Sequence, residues 1–162
     1  MTFPESLPQE NRFTAIPATL GDLPDLLALE EEAFPTGERW SEDIFKEELA
    51  RRPEGIKILK DGNKIIGYFE VEHESRDGIH VGDIGSIAVS NDYRGQGIGE
   101  YLLKTAISTL KSQGVSLIRA KTRYNNVEML NLLGRFEFKR VGATPNYYRS
   151  GHDSVDFEMR LR

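Results

Sequence analysis

The chain has 162 residues, of which 38% are hydrophobic and 29% are charged, a composition typical of one globular domain. It contains no cysteine, which excludes disulfides, zinc–thiolate centres, iron–sulfur clusters and cysteine nucleophiles. The formal net charge of −5 argues against a nucleic-acid partner, because phosphate binding requires an excess of basic residues.

Turn residues and the spacing of apolar residues predict one domain, residues 12–162, after a flexible leader at residues 1–11. The predicted elements are strand 13–16, helix 23–34, helix 42–51, strands 56–59, 65–74 and 79–89, helix 95–113, strand 116–122, helix 127–134, and strands 138–141 and 155–161. Ser41 is expected to cap the second helix, and Gly85 indicates a bulge inside its strand. The order predicts an α/β fold with a mixed central sheet of six to seven strands flanked by about four helices.

A glycine-rich loop joins the strand that ends near residue 89 to the long helix that follows it. Gly95, Gly97 and Gly99 leave backbone N–H groups unobstructed at the positive end of this helix, and Arg94 adds a cation. The dinucleotide-binding pattern requires a glycine where this chain has Glu100, and the lysine of a P-loop is absent. The loop therefore predicts a pyrophosphate site of another kind.

Motif A of the GNAT acyltransferases closely resembles the segment Arg94-Gly95-Gln96-Gly97-Ile98-Gly99, which follows the strand Ser86–Val89 and the turn Asn91–Tyr93. Enzymes of that family transfer an acetyl group from acetyl-CoA to an amine. The resemblance implies that acetyl-CoA is the cosubstrate, with its pantetheine arm paired against the backbone of residues 87–89 and its pyrophosphate on the amides of residues 95–100. The coenzyme-binding residues that it implies are Ile87, Ala88, Val89, Arg94, Gly95, Gln96, Gly97, Ile98, Gly99, Glu100 and Asn126.

The second motif of the same family is similar to the stretch that contains Asn126, Leu130 and Phe138. The resemblance implies that the asparagine contacts the coenzyme. This chain departs from the motif at two positions. Leu133 stands where the family has the tyrosine that protonates the departing thiolate, and Glu137 stands where it has a glycine.

Two further segments resemble those of the N-terminal protein acetyltransferases, especially the ribosomal-protein alanine type. One is Phe34-Pro35 followed by Trp40-Ser41, and the other is Asn146-Tyr147-Tyr148-Arg149. The resemblance implies that the acceptor is a protein or peptide N-terminus. The substrate-binding residues that it implies are Phe34, Pro35, Trp40, Tyr147 and Tyr148.

An amine must lose a proton before it attacks a thioester, and an α-amine, with a pKa near ~8, needs less help than a lysine amine near ~10.4. Lys121 stands where the bacterial enzymes of this type have a glutamate that acts as the catalytic base. Asp83 stands where some eukaryotic relatives have a tyrosine that holds a water. We expect these two residues to form an ion pair, with Asp83 as the base or as half of a structural salt bridge. Glu70, Glu72 and Glu74, which alternation places on one face of the preceding strand, are a second candidate set for binding the amine or accepting its proton.

Tyrosine is the candidate for the catalytic acid in place of Leu133. Tyr147, together with Tyr148 and Tyr124, lies nearest in sequence to the motifs, and Tyr147 is the predicted acid. We therefore expect Asp83, Lys121 and Tyr147 to be the catalytic residues.

The sequence thus predicts an acetyl-CoA-dependent N-acetyltransferase that works by direct transfer in a ternary complex, because no cysteine is present to carry an acyl group. A small-molecule acetyltransferase for a polyamine, amino acid or aminoglycoside is one alternative, and a non-catalytic acyl-CoA-binding module is another. The histidines, His73, His80 and His152, lack metal-ligand spacing, so we expect no metal. No apolar run reaches the length of a membrane span, and the first residues lack a signal-peptide pattern, so we expect a cytoplasmic monomer or homodimer with no membrane partner.

Overall fold

A seven-stranded sheet forms the centre of the computed structural model, which describes residues 13–161. The strands are β1 (Ile16–Pro17), β2 (Ile56–Asp61), β3 (Lys64–Arg76), β4 (Ile79–Val89), β5 (Leu117–Arg123), β6 (Lys139–Thr144) and β7 (Ser154–Arg160). The helices are α1 (Leu23–Ala33), α2 (Glu42–Arg51), α3 (Ile98–Ser112) and α4 (Val127–Arg135). The predicted fold class is confirmed, whereas the predicted leader at 1–11 lies outside the described residues.

The strands follow the order β1-β2-β3-β4-β5-β7-β6. Every neighbouring pair is antiparallel except β4 and β5, which run parallel. A parallel pair needs a crossover connection, and α3 supplies it between these two strands. The two strands on which the predicted catalytic residues lie are therefore direct neighbours.

Two apolar layers hold the helices against the sheet. On one face, α1 and α2 bury Leu26 and Phe45 against Ile58 and Tyr68. On the other face of the sheet, the apolar stripe of α3 packs together with α4 against the same strands. The largest buried members of this second layer are Phe69, Ile98, Leu102, Leu103, Phe136 and Ile118. Both layers are dry and tightly packed, so side chains at their border have fixed positions.

The predicted cap of α2 is confirmed, whereas α3 begins at Ile98 rather than at the predicted residue 95. The Ser41 hydroxyl accepts a hydrogen bond from the Ile44 N–H (3.2 Å), which caps α2. Asn126 caps α4 in the same way, through the Met129 N–H (3.2 Å). In the described part of the chain, no helix has both the length and the apolar character needed to cross a membrane.

Candidate functional site

The parallel strands β4 and β5 separate halfway along their length. Their pairing runs only from Val81 opposite Leu117 to Ile84 opposite Ala120, although β3 continues to pair with β4 as far as Val89. The β4 backbone beyond residue 84 therefore has a partner strand on one edge only. A cavity of about 790 Å³ opens at this separation, a size typical of a small-molecule site.

One cavity brings together residues that the sequence predicts for the coenzyme and for the acceptor. Ile87 and Asn126 line it, and so do the side chains of Asp83 and Lys121. Its remaining predicted members are Phe34, Trp40, Tyr147 and Tyr148. Pro35 is exposed and does not line the cavity. Ala88 points into the core beneath α1 and α2, so it can offer only its backbone to a ligand.

The start of α3 has the conformation expected of an anion site. Gly95 and Gly97 have φ values of +75° and +82°, the left-handed region in which a side chain is strained. Gly97 is the N-cap of α3, and no side chain caps the helix there. The backbone N–H groups of the first turn are thus available, and the helix dipole favours a negative group beside them. The loop fits the predicted pyrophosphate, whereas the Arg94 side chain lies near Glu128 (3.9 Å).

The predicted ion pair between Asp83 and Lys121 is wrong. Asp83 instead accepts two hydrogen bonds from Arg119, from Nε and from one terminal nitrogen, each 3.0 Å long. Lys121 pairs with Asp156 (3.0 Å). The register explains both pairs, since Asp83 stands opposite Arg119 on β5 and Lys121 stands opposite Asp156 on β7.

Each ion pair favours the charged form of its members. Hydrogen bonding to Asp83 raises the pKa of Arg119 above its ordinary value. Burial by itself would raise the pKa of Asp156, but hydrogen bonds from Ser154, Lys121 and Thr144 outweigh it and lower the pKa. The cavity wall on β5 and β7 therefore consists of matched charges.

The two adjacent tyrosines differ in their surroundings. Their rings meet edge to face with centroids 5.0 Å apart. Tyr147 is half exposed, and the Lys121 Nζ lies 5.1 Å from its ring centroid. Tyr148 is more enclosed, and burial raises the pKa of its hydroxyl. Tyr124 is exposed and packs against His152 outside the cavity lining.

A cluster of polar side chains joins the loop after α1 to the loop between β6 and β7. The Glu38 carboxylate lies 3.5 Å from Arg123, 3.2 Å from His152 and 2.9 Å from the Ser150 hydroxyl. Gly37 lies so close to the Ser150 backbone that a Cβ there would meet it at 2.9 Å. The sequence did not indicate this cluster, because Glu38 is distant in sequence from its partners, by 112 residues from Ser150 and by 114 from His152, and they share no motif.

Two buried carboxyls, Glu30 and Glu70, act on the Tyr68 hydroxyl, and neither lines the cavity. Glu30 accepts a hydrogen bond from the Trp40 N–H (2.8 Å) through one oxygen, while its other oxygen has no partner, and burial raises its pKa to about 7. Glu70 is 2% exposed, and burial, followed by the charges of Glu72 and Glu48, raises its pKa to about 8. The Tyr68 hydroxyl, which interacts with both carboxyls, lies 2.9 Å from the Ser86 hydroxyl in the cavity wall.

Comparison with known proteins gives a consistent result. The sequence model described as the Acetyltransferase (GNAT) family matches residues 23–138. The N-alpha-acetyltransferase RimI of Mycobacterium tuberculosis is 28% identical over 144 residues, which span 85% of this chain and 89% of the relative. N-alpha-acetyltransferase 30 of Schizosaccharomyces pombe is 25% identical over 145 residues, which span 89% and 95%. A chain in the crystal structure of the NatC complex bound to Gag peptide and CoA superposes with a TM-score of 0.83 at 23% identity, covering 93% of this chain and 99% of that one.

Proposed function

The chain belongs to the GNAT acetyltransferase family, and from this premise we propose that it acetylates the N-terminal amine of a protein or peptide. The prediction of an acetyl-CoA-dependent N-acetyltransferase is confirmed by that membership. The observation that carries the proposal is the single cavity in which the free edge of β4 meets the two loops predicted to bind the acceptor. The cytoplasmic location and the oligomeric state stay predictions.

Acetyl-CoA fits along the free edge of β4 and the start of α3. The backbone of residues 85–89 can pair with the amide groups of the pantetheine arm as a missing strand would. The pyrophosphate would lie on the amides that follow Gly95 and Gly97. This placement puts the thioester at the separation of β4 and β5, beside Leu133 and Asn126.

The acceptor fits on the other side of that separation. Trp40 and Phe34 offer apolar surface from one loop, and Tyr147 and Tyr148 offer it from the other. The Glu38 cluster fixes the two loops relative to each other. Relatives named N-alpha-acetyltransferases support an N-terminal α-amine as the group that enters between these loops.

The three predicted catalytic residues have different proposed roles. Asp83 and Lys121 are held in separate ion pairs, so we assign them to positioning and to the charge balance of the cavity. Tyr147 stays the proposed acid for the thiolate, because its half-exposed side chain lines the cavity beside Lys121. Leu133 lines the cavity and supplies only apolar contact.

The test measures thiol release and product mass with acetyl-CoA and a panel of acceptors. The panel contains peptides with free N-termini, the same peptides blocked at the N-terminus but carrying a lysine, and spermidine. We expect acetylation of the free N-termini alone. Turnover of spermidine alone would favour a small-molecule enzyme, and acetyl-CoA binding without turnover of any amine would favour a binding module.

A further inference from the structure

We infer that Glu70 accepts the proton of the acceptor's ammonium group, and that it reaches the cavity at the bulge formed by Gly85. The inference rests on the proposed function, since it assigns the base of that same reaction. It replaces Asp83, the base expected first from the sequence, with one member of the second candidate set, which was Glu70, Glu72 and Glu74.

The first support is the free state of the Glu70 carboxyl. Among the described residues it makes no hydrogen bond and no ion pair, although one oxygen of each of Glu48, Glu70 and Glu72 lies within 4.8 Å of the others. Arg52 pairs with Glu48 (2.7 Å) and Glu72 (3.2 Å) rather than with Glu70. A carboxylate that is already bound by a guanidinium is a weak base, so Glu70 is better suited than Asp83 to take a proton.

The second support is the position of the carboxyl at the bulge. Glu70 stands opposite Ser86 and Val71 stands opposite Ile84, so Gly85 is the extra residue of β4. Gly85 is exposed and lines the cavity. The Glu70 Oε2 atom occupies the space in which a side chain at position 85 would begin. Glycine therefore leaves an opening through which a buried carboxyl borders the point where β4 and β5 separate.

The electrostatic environment matches the chemistry. Burial is the largest cause of the raised pKa of Glu70; together with the charges of Glu72, Glu48 and Asp83, and against that of Arg52, it brings the pKa to about 8. Glu30 lies beyond Tyr68, on the α1 side. An α-amine has a pKa near ~8, so the proton passes between groups of similar affinity, which favours transfer in both directions. The ammonium group of the acceptor also supplies the cationic partner that the Glu70 carboxylate lacks among the described residues.

The atoms and charges of the reaction balance. The Glu70 carboxylate takes one proton from the ammonium, and the free amine attacks the thioester carbon, forming the C–N bond. The tetrahedral intermediate then collapses, the C–S bond breaks, and its electron pair goes to the sulfur. Tyr147 gives its proton to that sulfur and takes the second amine proton in return, which yields the amide and free CoA thiol, while Glu70 returns the first proton to solvent.

The experiment compares Glu70→Gln with the wild type in acetylation of a free N-terminal peptide from pH 6 to 10. We expect kcat at pH 7 to fall on the order of 10²-fold, with unchanged acetyl-CoA affinity, because the amide keeps the shape and removes the basicity. The loss shrinks toward pH 10 because the peptide then arrives deprotonated. A Glu70 with no part in the proton transfer predicts the opposite, since replacing this carboxyl by an amide of the same shape would leave turnover intact at every pH.

A second variant tests the assignment while leaving Glu70 itself unchanged. Glu48→Gln removes a negative charge that raises the pKa of Glu70, so the ascending limb of kcat against pH shifts to lower pH. Glu47→Gln, the same change at an exposed neighbouring position of α2, leaves the profile unmoved. The assignment of Glu70 as the base is overturned if Glu70→Gln keeps kcat at pH 7 within twofold of the wild type. It is also overturned if the ascending limb of the pH profile does not shift in Glu48→Gln. Either result leaves the proposed function standing. A wild-type chain that acetylates no N-terminal peptide overturns the proposed function, and the base assignment with it.

Discussion

Gly85 and Glu70 share one space in the sheet, because the Glu70 carboxyl fills the volume that a side chain at position 85 would need. The two residues lie on adjacent strands, where Glu70 pairs with Ser86 and Gly85 is the unpaired residue of the bulge. The identity of one residue therefore limits the identity of the other, and the pair can be tested as a unit.

Gly85→Ala should destabilise the protein by about 1–3 kcal/mol, because the new methyl group overlaps the Glu70 carboxyl and forces it to move. The φ of Gly85 is not positive, so the cost is steric rather than a matter of backbone conformation. In a Glu70→Ala background the same substitution should cost much less. Urea denaturation of the four members of this double-mutant cycle measures the coupling, and additive costs would show that the two groups do not compete for space.

The local signals of the sequence were sufficient for the order of the elements and for the conformation of the glycine-rich loop, although the first strand is Ile16–Pro17 rather than the predicted 13–16. Gly85 as a bulge and Ser41 as a helix cap depend on neighbouring residues only, and both are confirmed. The partner of Asp83 depends on the register of β5 against β4, which no local pattern encodes. A shift of two residues separates Lys121 from Arg119, and it was enough to make the predicted ion pair wrong.

The burial of Glu70 could not be read from the sequence for a related reason. Alternation predicts one face for Glu70, Glu72 and Glu74, but it does not show that only the first of them is buried. Glu70 is buried, whereas Glu72 and Glu74 are partly open to solvent. A row of acids that reads as a solvated face thus contains a deeply buried carboxyl.

The stability of the Glu70→Gln variant relative to the wild type should increase as the pH rises from 5 to 9. The pKa of Glu70 is about 8 in the fold against an ordinary value of 4.5, so the folded state holds a proton that the unfolded chain releases above about pH 4.5. The wild type therefore loses stability through this window, and the loss is complete above pH 8. Glutamine has no such cost, so the difference grows by an amount on the order of a few kcal/mol. Melting temperatures across the range measure it, and parallel curves would contradict the raised pKa.

Gly97→Asp should weaken acetyl-CoA binding by at least tenfold, because it places a negative charge where the helix start would hold the pyrophosphate. Gly97→Asn is the matched control, since asparagine has the same shape, tolerates a left-handed conformation and carries no charge. Calorimetric titration of both variants with acetyl-CoA separates charge from backbone strain. Equal acetyl-CoA affinities for the two variants would show that the pyrophosphate does not bind at this loop.

Asp83→Asn should cost about 1 kcal/mol of stability, because it leaves the partly exposed Arg119 guanidinium with a weaker partner. We expect kcat at pH 7 to stay within about threefold of the wild type, in contrast to Glu70→Gln. The pH profile should move slightly to lower pH, since Asp83 contributes to the raised pKa of Glu70. A fall in kcat on the order of 10²-fold in a folded Asp83→Asn variant would return the role of base to this residue.

Glu38→Gln should raise the KM for the acceptor peptide several-fold while the affinity for acetyl-CoA stays unchanged. The Glu38 side chain is 4% exposed and is the shared partner of Arg123 and His152, so its charge holds the loop after α1 against the loop between β6 and β7. Without it the partly buried Arg123 loses its ion pair, and we expect a loss of stability of about 1–2 kcal/mol.

The loop after α1 and the loop between β6 and β7 line the acceptor side of the cavity, whereas β4 and α3 form the coenzyme side. The affinity for the peptide and the affinity for acetyl-CoA should therefore respond differently to Glu38→Gln. Glu42→Gln is the control, because Glu42 pairs with Lys46 on the exposed face of α2 and both side chains are more than half exposed. Steady-state kinetics with a varied peptide, together with acetyl-CoA titration, measure the two effects separately. An unchanged peptide KM in a folded Glu38→Gln variant would show that the contact between the loops does not shape the acceptor site. An equal loss of acetyl-CoA affinity would show instead that the Glu38 cluster supports the whole cavity and not the acceptor side in particular.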